Sequence, residues 1–436
     1  MTLSARFAAS MDRLWAGGTG LGVAVSGGGD SMAMLHLMAD WARPKGVKLY
    51  AVTVDHRLRR DSANEAALVE RVAGDLGVDH ATLSWDDWDG HGNLQDAARR
   101  ARHGLFDAWR GDVSQVALGH TMDDQAETVL MNLARGSGVE GLSGMAARMM
   151  LSDPPRMTTP PQRFHGWPPA AEVPSQGYEL IRPLLHIHRE ELRAWLRGLG
   201  ATWVEDPSND DDRFRRVQAR KALAALTPFG LGAEELAATA ARMARARDAL
   251  EAHAADAADR LTRIEAGDLV FDLAGFRALE RETQMRLLAA AIVWVANAHY
   301  RPRAIPLEEV LDQALDGVTG SLGGCLVSAN ASGFRVSREP AAVLQLRAPA
   351  GETSLWDNRW RISGPAANGH QIGALGEAGL ASIRDLPEGL PRSTLIASPA
   401  IWDGDRLVAA PIAAYGPHLT VEFMPRCGDF VTSLVH

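Results

Sequence analysis

Two groups of residues in this chain are of types and spacings that could do chemistry together. The first is the run Ser26, Gly27, Gly28, Gly29, Asp30 and Ser31. Three consecutive glycines let the backbone close around a guest with its N–H groups turned inward, and a helix starting there adds a positive dipole end. Phosphate is the natural occupant. A carboxylate inside such a turn repels phosphate unless a divalent cation bridges the two, so Asp30 implies Mg2+ as well as a nucleotide. The run is not a Walker loop, since no GxxxxGK(S/T) occurs, and it fits GxGxxG poorly because Asp30 and Ser31 stand at its later positions.

The second group lies in GHTMDDQAET, Gly119 to Thr128. On a helix Asp123 and Glu127 share one face at i, i+4, and His120 and Asp124 have the same spacing across the entry turn. A single acid here would be explained by the helix dipole. Two adjacent aspartates with a histidine and a glutamine at a strand's end point instead to a reaction centre. Asp30, Asp123 and Asp124 are the expected metal ligands and, with His120, the expected catalytic residues.

These groups need a scaffold that brings them to one edge. From Leu21 onward short apolar runs alternate with helical periodicity, the pattern of βα units around a parallel sheet. LGVAV (Leu21 to Val25) precedes the glycine turn, and Met34, Leu35, Met38 and Trp41 mark the next helix. VKLYAVTVD is a second strand before a helix opened by Ser62 and Glu65 as a capping box. HATLSW and VSQVALGH read as strands before helices at about Asn93 to Trp109 and Met122 to Arg135. In such open sheets ligands sit at the carboxyl ends of the strands, so both groups should face one crevice.

The stretch from Leu151 to Gly177 is Pro-rich and reads as a surface loop. A helix carrying Leu192, Trp195, Leu196 and Leu199 follows, and the βα character ends near residue 225. Beyond it come a helical stretch from Ala233 to Leu261, a hairpin around CLVSANASGFRVSRE, and about ninety residues of short strands broken by Gly, Pro and Asn. The expected domains are a doubly wound α/β catalytic domain at 1–225, a mostly helical one at 226–345 and a small β-rich one at 346–436.

The 436 residues are 46% hydrophobic and 23% charged, an ordinary globular composition. No apolar run is long enough to span a bilayer and the first residues lack a signal-peptide pattern, so a cytoplasmic address is expected. Cys325 and Cys427, far apart, support neither a disulfide framework nor a Cys-based metal site. A net charge of −9 argues against indiscriminate coating of nucleic acid. The acid-free segment Arg213 to Lys221 is a local exception.

The turn SGGGDS after a strand resembles the pyrophosphate-binding loop of the ATP pyrophosphatase (PP-loop) superfamily. That likeness implies cleavage of ATP between the α and β phosphates and transfer of AMP to an oxygen. Further segments, in order, are similar to the tRNA(Ile)-lysidine synthetase family: VDHRLR with Asp55 and His56; the helix NLQDAARRARHGLF; GHTMDDQAET; IRPLL with Arg182; and WVEDPSNDDDRFRRVQAR. Departures are His103 for the family's usual Tyr and Val217 for its usual Asn.

The resemblance implies ATP contacts from Ser26 to Ser31, Asp55, His56, Arg99 and Arg102. It implies substrate or tRNA contacts from Gln125, Glu127, Arg182, Asp206, Asn209, Arg216 and Arg220. It also implies the substrates ATP, free L-lysine and a tRNA(Ile) with a CAU anticodon, with Mg2+ and no membrane; a homodimer is open to the chain. Arg242, Arg245 and Arg247, and Arg359 and Arg361 beside Trp356 and Trp360, are expected to reach tRNA backbone or bases, unless they are a solvated helix and half-buried tryptophans. Competing expectations are a PP-loop tRNA thiolase, for which neither cysteine is suitably placed, and a nucleotide-sensing or RNA-binding module without turnover.

Overall fold

A computed structural model describes residues 1–18, 20–55, 62–85, 94–151, 167–169, 177–205, 213, 215–331, 333–364, 369–425 and 428–435. The chain divides into two compact units, Met1–Arg247 and Asp248–His436.

The first unit runs α1 (Leu3–Leu14), β1 (Gly20–Ala24), α2 (Gly29–Ala42), β2 (Lys48–Asp55), α3 (Ser62–Asp75), β3 (Asp79–Ser84) and α4 (Leu94–Trp109). It continues with β4 (Gln115–Leu118), α5 (Met122–Leu133), the single turn α6 (Val139–Leu142), β5 (Arg148–Leu151), β6 (Tyr178–Ile181), α7 (Arg189–Gly198) and α8 (Arg215–Leu226). The helix α9 (Ala233–Leu261) follows. Six strands form one sheet in the order β3-β2-β1-β4-β6-β5, parallel except for β5 against β6. β1 and β4 are buried almost throughout, as strands covered on both faces must be, which is why their sequences are apolar apart from the buried Gln115 that opens β4.

One face of the sheet is covered by Phe7 and Met11 of α1, Leu35 and Met38 of α2, Val69 of α3 and Leu192 and Leu196 of α7. The other is covered by Leu105, Phe106 and Trp109 of α4. The chain leaves β1 toward β2 and β3 on one side, then returns through β4 on the other. The connections after β1 and β4 therefore diverge and leave a crevice between them, the switch point at which this architecture binds ligands. Gly119, just after β4, lies so close to the first turn of α2 that a Cβ on it would meet the Ser31 Cα at 3.2 Å.

The expected parallel doubly wound sheet is present. The edge strand β5 was not foreseen; it takes Leu151 out of the supposed Pro-rich loop, most of which lies outside the described residues.

In the second unit β7 (Thr262–Glu265), β8 (Asp268–Phe271), β9 (Gly320–Leu322), β10 (Cys325–Asn330) and β11 (Gly333–Arg338) form an antiparallel sheet in the order β7-β8-β11-β10-β9. β10 and β11 are the expected hairpin. Smaller antiparallel sheets follow, one of them built on the hairpin Thr353–Trp356 and Trp360–Ser363. Trp356 and Trp360 pair across that hairpin and point into a core with Ile362 and Ile372. Arg359 is 1% exposed, donates to the Gly267 carbonyl at 2.8 Å and lies 5.1 Å from the Phe423 ring centroid. The expectation that Arg359, Trp356 and Trp360 meet RNA is therefore corrected: they are core. Arg361 is exposed and pairs with Glu422 at 2.9 Å. Among the described residues no helix is long and apolar enough to cross a membrane.

Candidate active site

The glycine turn is held in shape by its own serines. Ser31 Oγ donates to the Gly28 carbonyl at 3.0 Å and accepts the Ser26 N–H at 3.1 Å. Gly27 has φ +86, a left-handed conformation that costs a residue with a Cβ about 1 kcal/mol or more. Its carbonyl accepts the Val204 N–H at 2.9 Å, tying the turn to the segment after α7. α2 starts at Gly29, after an N-cap residue with no side chain, so its first N–H groups are left for an anion. The turn opens into a cleft of about 640 Å³ at the switch point, lined by Ser26, Gly28, Gly29, Asp30 and Ser31. Arg102 on α4, Gly119, His120 and Asp124 after β4, Arg189 and Arg193 on α7, and Arg216 and Arg220 on α8 line it too, as do the acids Glu65 on α3 and Glu205 after α7.

The centre of the acidic group is an arginine. Arg189, the first residue of α7, donates from Nε to Asp30 Oδ2 at 2.9 Å and from its two terminal nitrogens to Asp124 Oδ1 at 2.9 Å and Glu127 Oε1 at 3.4 Å. Its backbone N–H donates to Asp123 Oδ2 at 2.7 Å. Burial works against the guanidinium's charge, but Asp124, Asp30 and Glu127 override it and raise its pKa. Glu127 is 2% exposed and also accepts Arg220 Nε at 3.0 Å, so it lies below the cleft as the anchor of α8.

Asp124 is doubly engaged. Its Oδ2 accepts both the N–H and the hydroxyl of Thr121 at 2.9 Å, closing the capping box of α5, while Oδ1 takes Arg189. Burial alone would raise its pKa; Arg189, Arg216 and the Thr121 N–H outweigh that and lower it. Asp30 differs. Burial is the larger influence and raises its pKa although Arg189 pulls it down, and among the described residues its buried Oδ1 has no hydrogen-bond partner. Asp123 meets Arg189's N–H and lies 3.7 Å from His188 Nδ1, off the cleft lining.

His120 accepts a hydrogen bond at Nδ1 from Arg182 Nε at 3.2 Å. Burial, reinforced by Arg182, Arg216 and Arg102 against the pull of Asp124, lowers its pKa to about 3. Burial also lowers Arg102, with Arg99 and Arg216 adding repulsion. Arg102, Arg182 and Arg216 crowd that side of the cleft, Arg216 also lying 3.9 Å from Glu127, and such a group of guanidiniums suits an anion.

The remaining expected residues fall elsewhere. Arg99 is exposed on α4 and does not line the cleft; Asp55 ends β2, half-buried, next to Val54, which does. Gln125 gives both ends of its amide to the Met145 backbone, at 2.7 and 3.0 Å, and with Arg182 borders a second, mostly apolar hollow of about 580 Å³ near Leu14 and Ala241. Val217, where the resemblance leads one to look for an amide, is buried in the cleft wall. His56, Asp206 and Asn209 lie outside the described residues.

Arg189 and Arg193 were missed by sequence reasoning. One signal existed: a cation at the first position of a helix opposes the dipole and asks for acids from elsewhere in the fold.

A family model described as a PP-loop domain matches residues 3–226. A curated tRNA(Ile)-lysidine synthase of Ruegeria pomeroyi is 45% identical over 419 residues, 95% of this chain and 94% of that one. Those of Wolbachia pipientis wMel and a Bradyrhizobium species are 32% and 37% identical, over 78% and 76% of this chain and 75% and 94% of theirs. The matched region takes in the glycine turn and every cleft residue named above, so the chain belongs to the tRNA(Ile)-lysidine synthase family and is built on its PP-loop domain.

Proposed function

We propose that this protein joins free L-lysine to C2 of the cytidine at the first anticodon position of tRNA(Ile) with a CAU anticodon, at the expense of ATP. The cytosine C2 oxygen attacks the α-phosphorus and pyrophosphate leaves with the bond electrons. The lysine ε-amine then adds to C2, AMP departs with the oxygen, and the amine's surplus proton is lost. Adenylation is needed because a cytosine carbonyl oxygen is a poor leaving group and AMP a good one. The observation that carries this reading is the conjunction of a helix-opening glycine turn, an unengaged Asp30 oxygen and the Arg102–His120–Arg216 side of one cleft, in a chain so similar to lysidine synthases.

In that cleft the N–H groups of the turn and the first turn of α2 bind the departing pyrophosphate, and Arg102 and Arg216 offset charge on the oxygens that change most. Arg189 holds Asp30 and Asp124 in fixed orientation beside the turn. Asp30 would suit Mg2+: among the described residues its buried Oδ1 has no hydrogen-bond partner, and it stands in the first turn of the helix that follows the glycine turn. Among the described residues no three His, Cys, Asp or Glu are grouped to hold a metal. When bound at Asp30 the ion would neutralise charge building on the leaving group. The engaged oxygens of Asp124 and the position of Asp123 favour Asp30 for this role. Selection of one tRNA falls to the second unit.

The test is incubation with ATP, labelled lysine and unmodified tRNA(Ile) bearing CAU. The expected result is label in that tRNA and lysine-dependent AMP release; ATP binding without pyrophosphate formation would support a sensor instead.

A further inference from the structure

His120 faces the reaction cleft and a histidine there invites the role of base for the lysine amine. Its surroundings decide otherwise. The guanidinium of Arg182 carries five N–H donors and no acceptor, so the nitrogen facing it must offer a lone pair. That nitrogen is Nδ1, 3.2 Å from Arg182 Nε. Arg182 cannot turn away: it is 4% exposed and a second nitrogen is fixed on the Ala146 carbonyl at 2.6 Å. In a neutral imidazole with a bare Nδ1, the single proton is on Nε2. Among the described residues Nε2 has no hydrogen-bond partner, and it is not one of the atoms sealed from solvent, so its N–H is open to the cleft that His120 lines. Asp124, the acid whose charge acts on the ring, is already engaged through both oxygens.

Building on the lysidine reading, we propose that Arg182 is a positioning residue that locks His120 as the Nε2–H tautomer. His120 is thereby a hydrogen-bond donor to an anionic phosphoryl oxygen in the cleft, and not the base that takes the lysine proton. A ring whose cleft-facing nitrogen already holds a hydrogen has no lone pair there for an ammonium proton. The same N–H matches the anion side of the cleft formed with Arg102 and Arg216.

The experiment is a long-range proton–nitrogen NMR spectrum of the full chain labelled with nitrogen-15 histidine at neutral pH, His120 being assigned by the signals lost in His120→Gln. The expected pattern is a protonated Nε2 and a bare Nδ1, retained in Arg182→Lys and shifted toward the Nδ1–H form in Arg182→Met. A protonated Nδ1 in the unmodified protein overturns the proposal. In the lysidine assay His120→Gln, which keeps an N–H at the ε position but has no basic nitrogen, falls about tenfold, and His120→Ala falls about a hundredfold or more. Equal losses in the two variants would restore His120 as the base. The spectrum reads the tautomer whether or not lysidine forms, so a failed lysidine assay with the expected pattern overturns the reaction assigned to the cleft and leaves the tautomer standing.

Discussion

Replacing Arg189 by Met removes a cation shared by Asp30, Asp124 and Glu127 while keeping most of the side chain's length. The side chains of these acids are 22%, 11% and 2% exposed, and Arg189's is 15% exposed, so the cluster is largely desolvated. Removing one partner from a buried ion pair typically costs about 3–5 kcal/mol, because the other charge is left uncompensated. Here three carboxylates lose a partner, one of which, Glu127, keeps Arg220. For a unit of this size, at about 2–4 °C per kcal/mol, the melting temperature of the first unit should fall by about 6–20 °C. The assay is calorimetry of the full chain, following the transition that ATP raises. Added Mg2+ should recover part of the loss in the variant and do little without ATP in the parent, since the freed carboxylates then accept a divalent ion. A shift under about 2 °C, with no response to Mg2+, would show that Arg189 does not hold the acids together and would refute the reasoning.

Gly119→Ala puts a Cβ 3.2 Å from Ser31 Cα and 3.3 Å from Ser31 N, both backbone atoms that cannot swing aside. The variant should cost about 1–3 kcal/mol and weaken ATP binding about tenfold by calorimetric titration; unchanged binding would mean that the two loops are not closely fitted. His80 gives a pH prediction: Thr53 donates its hydroxyl hydrogen to the Val25 carbonyl, so His80 Nε2 donates to Thr53, and burial lowers the ring's pKa to about 4. The native state then binds fewer protons than the unfolded chain between pH 6.5 and about 4, so this contribution is present above pH 6.5 and lost as pH falls through that window, at most about 3 kcal/mol. His80→Gln, which keeps the donor, should flatten that part of the stability curve in urea titrations. Arg359→Met should lower the melting temperature of the second unit, since Arg359 is a core residue, yet leave tRNA affinity of the folded protein within about twofold by filter binding; a large loss of affinity without loss of stability would return Arg359 to the RNA surface.

The catalytic fold was readable because its signals are local. Apolar runs at β1 and β4 and the Ser26–Ser31 turn each announce themselves within a few residues. What was not readable depends on distant partners. Arg189 is 159 residues from Asp30 in the chain, and only the folded sheet shows that α7 begins on the acids of α5. Gln125 sits between two expected site residues, but its amide is committed to the turn at Met145, a contact that the motif's spacing does not encode. The WDNRW segment looked like an RNA reader because it alternates rings and charges. Its turn residues Asp357 and Asn358 have positive φ, and the tight hairpin they make directs both tryptophans inward. The strand β5 has only four residues at a sheet edge and no alternation to reveal it.

The central claim is that ATP lies along the glycine turn with its α-phosphorus open to a tRNA oxygen before lysine takes part. Supplying ATP labelled at the α-phosphate and unmodified tRNA(Ile) with no lysine tests it directly. Label should pass to the tRNA with release of pyrophosphate, and be discharged as AMP once lysine is added; Asp30→Asn should abolish the first step. Label that stays in ATP until lysine is present, or that passes to lysine or to the protein instead of tRNA, would contradict the account.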